Sequence, residues 1–328
     1  MCQGGGSHTA FTAGVLKKIL AENGEKINIV ALTGTSGGAD CALLAWYGLL
    51  TGGKDKAIEL LDSFWNKLST DLPADLMFMN AWAVGASQIP YIPKVSPYYW
   101  PMSYWADRTH DYLKKCLEEL VDFDDLEEKY SSSIPELVVG AVNVKTGDFE
   151  VFKSNKKYRK PGKENAGITV NAILASAAES SFLKAVQIGD NVYWDGLFSQ
   201  NPPIYDLLDK KNAKEKPDQI WVIQINPKNR THKPTSPDAI EDRRNELAGN
   251  ISLEHELNFI ESINKLIEDL PEEKKYTSKY KHIEVKKPIV ITKEDLPVAS
   301  KWKLDPQFIH GMMAHGEKEA EKFLAKFT

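Results

Sequence analysis

At 328 residues and 36.8 kDa, the chain is long enough to bury a full hydrophobic core as one large domain or two ordinary ones. An apolar fraction of 42% excludes global disorder and low-complexity fibre. With 41 Lys and Arg against 46 Asp and Glu, the net charge of -5 argues against a dedicated nucleic-acid binder, whose phosphate affinity needs surplus cations.

In chain order the elements alternate between helix and strand, as in a layered α/β domain. A glycine run, Gly4-Gly5-Gly6, precedes residues 9–23, where Phe11, Val15, Leu16, Ile19 and Leu20 have helical spacing up to Asn23-Gly24. Any strand leading into those glycines is very short. Residues 27–32 (Ile-Asn-Ile-Val-Ala-Leu) read as a buried strand running into Gly34-Thr35-Ser36-Gly37-Gly38. Helices are expected over residues 39–50 and 54–69. Residues 137–144 and 148–152 read as a hairpin around Lys145-Thr146-Gly147, and residues 220–225 as a further buried strand. Helices close the chain at 239–270 and 306–327. Residues 228–237 read as a linker or loop.

Strand, Gly-x-Ser-x-Gly, helix is the context in which that motif makes a nucleophile. The glycines permit a sharp turn that lifts the Ser36 hydroxyl above the sheet, while the N–H of Gly37 opens a helix and stays unpaired at its positive end. A bystander serine in a glycine-rich turn is the bland alternative. The turn Gly4-Gly5-Gly6-Ser7-His8 gathers further N–H groups before a helix, which suits a phosphate or an oxyanion. A phosphate loop is disfavoured, because Gly-x-x-x-x-Gly-Lys-Ser/Thr is absent, and a dinucleotide fingerprint lacks its third glycine.

A serine nucleophile needs a base. Among seven histidines, His310 or His315 would fill the late position of a conventional α/β-hydrolase. Yet Ser36 has room for at most two strands before it, and both histidines fall inside an apparent amphipathic helix. The other candidate is Asp195, in Trp194-Asp195-Gly196-Leu197-Phe198, where an Asp-Gly pair by itself is a turn.

Taken together, the early glycine run, Gly-Thr-Ser-Gly-Gly about thirty residues on and the distant Asp-Gly resemble the patatin-like phospholipase family. Residues 175–183 (Ala-Ser-Ala-Ala-Glu-Ser-Ser-Phe-Leu) resemble its small-residue segment before the aspartate turn, and Asn201-Pro202-Pro203-Ile204 its Asn-x-Pro segment after it. The resemblance spans residues 1–205. It implies a three-layer α/β/α fold of the lysophospholipase/acyltransferase type with a mostly parallel central sheet. It implies a Ser36–Asp195 dyad without histidine, an oxyanion hole of Gly4, Gly5, Gly6 and Gly37, and no cofactor or metal. Burial against Trp194 and Phe198 would make Asp195 a better base. The family usually shows Gly-Gly-Gly-x-Arg/Lys-Gly, whereas Ser7, His8 and Thr9 follow the glycines here. His8 is therefore expected to modulate a weaker or pH-dependent oxyanion site.

Residues 72–105 carry eight aromatics, Phe78, Trp82, Tyr91, Tyr98, Tyr99, Trp100, Tyr104 and Trp105, with Pro90, Pro93, Pro97 and Pro101 among them. This composition fits an acyl-chain channel, a lid or a membrane-touching edge, or else a loop packed on the core. A lysine group at 274, 275, 279, 281, 286 and 287 reads as a solvated face interleaved with acids, or as an attraction to anionic lipid. Arg243 and Arg244 lie on a helix expected to pack with a charged outer face.

The expected organisation is a catalytic part at 1–227 and a helical C-terminal extension at 228–328 packed on it. The expected activity is a serine lipid acyl hydrolase acting on phospholipids or other acyl lipids. An acyltransferase or thioesterase on the same dyad, or a non-catalytic lipid-binding relative, are the alternatives. Three cysteines, Cys2, Cys41 and Cys116, form no metal-type spacing and no disulfide framework, which favours a reducing compartment. No apolar run approaches a membrane span and Met1-Cys2-Gln3 does not open a signal peptide, so a cytoplasmic protein with at most peripheral membrane contact is expected.

Overall fold

The computed structural model describes residues 1–22, 27–86, 96–124, 126–130, 132, 135–159, 166–210, 212–235, 237–271, 281–292 and 296–326. The helices are α1 (Ala10–Glu22), α2 (Gly37–Ser69), α3 (Ala74–Ala86), α4 (Met102–Leu120), α5 (Leu126–Tyr130), α6 (Val170–Ser176), α7 (Tyr205–Leu208), α8 (Pro237–Glu268) and α9 (Pro306–Leu324). The strands are β1 (Ala31–Gly34), β2 (Glu136–Asn143), β3 (Phe149–Lys153), β4 (Val186–Ile188), β5 (Asn191–Asp195), β6 (Gln219–Ile220), β7 (Ile223–Gln224), β8 (Glu284–Val285) and β9 (Ile289–Val290). The two helices expected at 39–50 and 54–69 form one element, bent at Gly53, whose φ is 74°. The expected turn at Asn23-Gly24 lies outside the described residues.

Residues 1–3 serve as a strand of minimal length. Cys2 N–H donates to Thr33 O at 2.8 Å and Gln3 N–H to Ile223 O at 3.1 Å, so the chain start is threaded parallel between β1 and β7. The sheet then runs β9, β7, Cys2, β1 and β2 in parallel, and continues antiparallel through β5 and β4, with β3 antiparallel on the other edge of β2. This is a mostly parallel sheet with an antiparallel flank.

Register explains the meeting of distant residues. β1 pairs with the first half of β2, ending at Gly34 opposite Val139. β5 pairs antiparallel with the second half of the same edge, ending at Asp195 opposite Ala141. Two strands from opposite directions therefore end facing one another, with only Gly140 between them on β2.

Alternation along β2 divides the core into two layers. Leu137, Val139 and Ala141 join the large cluster formed with α1, α2, α6 and α9, while Val138 packs with Val151 and Leu207 on the other face. There, Ile204, Ile220 and Val222 meet Leu253 and Ile260 of α8. The result is helices on both faces of the sheet, a three-layer α/β/α arrangement.

Strand β1 covers only the end of the expected 27–32 run, because pairing with β2 begins at Ala31. The run at 220–225 is split, since β6 pairs with β8 and β7 with β9. Besides its helices, the chain after residue 228 thus contributes two strands. Its last helix lies tightly against α1: a Cβ on Gly14 would stand 1.9 Å from Met313 O. Gly14→Ala should therefore lower stability by about 1–3 kcal/mol despite the helix propensity of alanine, read as a lower urea midpoint with an unchanged slope.

Candidate active site

Adjacent parallel strands place their following loops side by side, so residues 4–6 and the turn after β1 emerge together at the carboxyl edge of the sheet. Ser36 sits at the N-cap of α2 with φ 56° and ψ -139°, the one non-glycine residue with positive φ among those described. This strained conformation costs on the order of 1–3 kcal/mol. Several contacts hold it. Ser36 N–H donates to Ser176 Oγ at 3.0 Å, and Ser176 Oγ–H donates to Gly140 O at 2.6 Å. Thr35 Oγ–H donates to Gln200 O at 2.6 Å.

The Ser36 hydroxyl lies close enough to the Asp195 carboxyl to favour its ionised form, and both side chains line one cavity. Asp195 is only 2% exposed, and its Oδ1 accepts from Leu197 N–H at 2.8 Å. Burial pushes its pKa up to about 7; the Ser36 and Leu197 hydrogen bonds and the Lys301 charge oppose that rise, while Glu179 adds to it. The burial does not come from Trp194, which alternates to the opposite face of β5. The side chain of Phe198 lies outside the described residues.

Of the four glycines expected to face an oxyanion, Gly4 is the exception. Its N–H is donated to Asn201 Oδ1 at 2.7 Å, so it anchors the loop and is not available to a ligand. The N–H groups of Gly5, Gly6 and Gly37 have no such partner among the described residues, and all three line one cavity with Ser36 and Asp195. The loop and the helix start are in contact: a Cβ on Gly37 would lie 2.2 Å from Thr9 Oγ1.

His8 stands apart from this cavity. It is buried, its ring Nε2 lies 2.7 Å from Ser300 Oγ, and it lines a second cavity of about 410 Å³ with Asn226, Arg230 and Lys301. Burial first, and then the Lys301 charge, lower its pKa to about 3, so the imidazole is neutral throughout the ordinary working range. Among the described residues, the positive group lining the Ser36 cavity is Lys301, from the turn Val298–Trp302, whose Nζ also donates to Asn226 Oδ1 at 2.8 Å. His310 and His315 are placed elsewhere. The first meets Asn66 Oδ1 at 3.1 Å and the second packs at a tilt against Phe11 and reaches Thr292.

The cavity of about 240 Å³ extends from Ser36 along an apolar wall that includes Leu68, Leu72, Leu76, Met79, Trp105 and Leu113. The aromatic segment is thus divided. Part of α3 and α4 lines the cavity, while Phe78, Trp82, Tyr99, Trp100 and Tyr104 are exposed, Trp100 at 81%. Tyr91, Pro90 and Pro93 lie outside the described residues, as do Lys274, Lys275 and Lys279. Lys281 pairs with Asp218 at 2.6 Å and Lys286 with Glu284 at 2.5 Å. Arg243 pairs with Glu246 at 3.0 Å, and neither it nor Arg244 lines the Ser36 cavity. Among the described residues no helix is long and apolar enough to cross a membrane, and no cluster of His, Cys, Asp or Glu has metal-binding form.

Three contributors escaped the sequence reading: Ser176, Asn201 and Asp40. The first two lie in segments noted for their composition, but a hydroxyl bracing an N–H across the sheet has no local signal. Asp40, in the first turn of α2, is buried and lines the cavity.

The sequence model of the patatin-like phospholipases matches residues 1–208. The chain belongs to this family. Among solved structures, it is similar to the crystal structure of VipD from Legionella pneumophila, at 13% sequence identity and a TM-score of 0.44. That similarity covers 99% of this chain and 66% of VipD, so the chain spans about two thirds of the length of that protein. Comparison with curated proteins gives no match.

Asn201→Ala would leave the buried Gly4 N–H without its acceptor, at a cost of about 1–3 kcal/mol. A reduced urea midpoint, with faster hydrogen exchange at Gly4, is the expected result.

Proposed function

We propose that the protein is a serine lipid acyl hydrolase working through a Ser36–Asp195 dyad. The observation that carries this reading is the Ser36 hydroxyl beside a buried carboxyl in one apolar cavity, with glycine N–H groups unpartnered among the described residues at its head. Family membership supports the same reaction class.

Ser36 Oγ attacks the ester carbonyl carbon and its proton passes to Asp195. The carbonyl oxygen becomes an oxyanion held by the N–H groups of Gly5, Gly6 and Gly37, aided by the positive end of α2. Collapse breaks the bond to the leaving alcohol, whose oxygen takes the proton from Asp195. Water then attacks the acyl-enzyme and gives a proton to Asp195, which returns it to Ser36 as the fatty acid departs. The substrate is an acyl lipid or phospholipid whose chain lies along Leu72, Leu76 and Trp105. Residues 228–328 act as an extension on a catalytic part at 1–227, lending Lys301, Trp302 and Leu304 to the cavity.

A fluorophosphonate, followed by intact mass, should label the wild type at one site, leave Ser36→Ala unlabelled and react slowly with Asp195→Asn. Labelling that survives Ser36→Ala would move the nucleophile elsewhere. Product analysis decides the fate of the acyl group: free fatty acid supports hydrolysis, and transfer to an added alcohol supports an acyltransferase. Because only ionised Asp195 accepts the proton, kcat/KM should rise with pH through about 7.

Exposed Phe78 and Trp100 are suited to a lipid surface, where aromatic rings sit at the boundary of apolar and wet regions. The double variant Phe78→Ala/Trp100→Ala should lose roughly tenfold or more in activity on phosphatidylcholine vesicles, with hydrolysis of a soluble short-chain ester unchanged. Equal loss on both substrates would contradict a surface role.

A further inference from the structure

Asp40 is the one carboxylate on α2 that shares the cavity with Ser36. It is 4% exposed, and its Oδ1 is buried with no hydrogen-bond partner among the described residues. Its backbone N–H donates to Ser36 O at 3.3 Å, so it stands one helical turn beyond the nucleophile, and helix side chains lean toward the N-terminus. The carboxyl therefore leans back toward the head of the cavity, where the ester must sit. A buried polar atom without a partner is costly unless a ligand supplies one.

We propose that Asp40 is a third side chain of the reaction site, donating its carboxyl O–H in a hydrogen bond to an ester oxygen of the acyl group bound at Ser36. This rests on the Ser36–Asp195 reading and adds a donor to it. The chemistry requires Asp40 to carry its proton while Asp195 does not. Their surroundings separate the two in that order. Burial, and then the charge of Asp195, push the Asp40 pKa up to about 8, whereas Asp195 stands at about 7 with Ser36, Leu197 N–H and Lys301 favouring its ionised form. The other titratable groups lining the cavity are Tyr112 on α4, Glu179 after α6 and Lys301 on the turn before α9, and His8 behind the glycine loop is neutral. A neutral acid in an apolar site is an effective donor to developing negative charge, as in the ketosteroid isomerase oxyanion hole. No bond to Asp40 forms or breaks, and it keeps its proton through the cycle.

The test is kcat and the pH dependence of kcat/KM on p-nitrophenyl butyrate for the wild type, Asp40→Asn and Asp40→Leu, with fluorophosphonate labelling of each. The wild-type kcat/KM should rise as Asp195 ionises and fall on the alkaline side, as neutral Asp40 loses its proton and its charge then opposes the oxyanion. Asp40→Leu should lower kcat by about a hundredfold, the scale of one lost oxyanion donor, while Ser36 is still labelled. Asp40→Asn keeps an N–H donor that cannot ionise, so its loss should be smaller and its alkaline fall absent. Asp40→Leu should also have a raised Tm, since it removes a buried acid. Wild-type kcat with the alkaline fall intact in Asp40→Leu would overturn the proposal, as would equal losses in both variants with unchanged pH profiles. Full activity in Ser36→Ala would instead overturn the dyad itself, whatever Asp40 does.

Discussion

One edge of β2 carries two strand ends that face each other, and the site depends on that arrangement. β1 arrives parallel and stops opposite Val139, β5 arrives antiparallel and stops opposite Ala141, and Gly140 spans the gap. Because each strand ends there, the residue that follows β1 by two and the last residue of β5 meet although 159 positions separate Ser36 from Asp195. Ser176 bridges the junction, accepting from Ser36 N–H and donating to Gly140 O. Threading residues 1–3 beside β1 adds the glycine loop at the same edge. The proposed nucleophile, its proposed base and the glycine amides thus come from three strand ends in one sheet.

Electrostatics at this junction follow from exclusion of water. Two carboxyls, Asp40 and Asp195, are buried within one cavity whose walls are otherwise mostly apolar. Desolvation raises both, and the Leu197 N–H with the Ser36 hydroxyl and the Lys301 charge hold Asp195 back from the full rise. Among the described residues, the lysine of the cavity wall is Lys301, far beyond the part of the chain that matches the family. Ser300 binds His8 and its carbonyl accepts from Ser7, so the same turn also backs the glycine loop. The C-terminal segment is therefore part of the site's construction.

Legibility in the sequence followed the range of each signal. The turns that bring Ser36 and Asp195 to one cavity are written in local motifs, and the order of those motifs pointed to the family. The hairpin β2–β3 and the closing helix were readable from periodicity. Gly4 was not separable from Gly5 and Gly6, since only the folded chain brings Asn201 to its N–H. Trp194 adjoins Asp195 in sequence, but strand alternation sends its side chain to the opposite face of β5. The 220–225 run was one apolar stretch in sequence, and its two halves find different partners, β8 and β9. Asp40 was silent for a similar reason: an acid in a helix's first turn is ordinary, and only its burial beside a second acid makes it unusual.

The most direct test is a crystal structure of the protein with an alkylphosphonate covalently bound. The account predicts phosphorus on Ser36 Oγ, the phosphonyl oxygen within hydrogen-bond distance of Gly5, Gly6 and Gly37 N–H, the Asp195 carboxyl against Oγ, and the alkyl chain along Leu72 and Leu76. An adduct on another residue, or one at Ser36 with Asp195 turned away and an imidazole in its place, would contradict it.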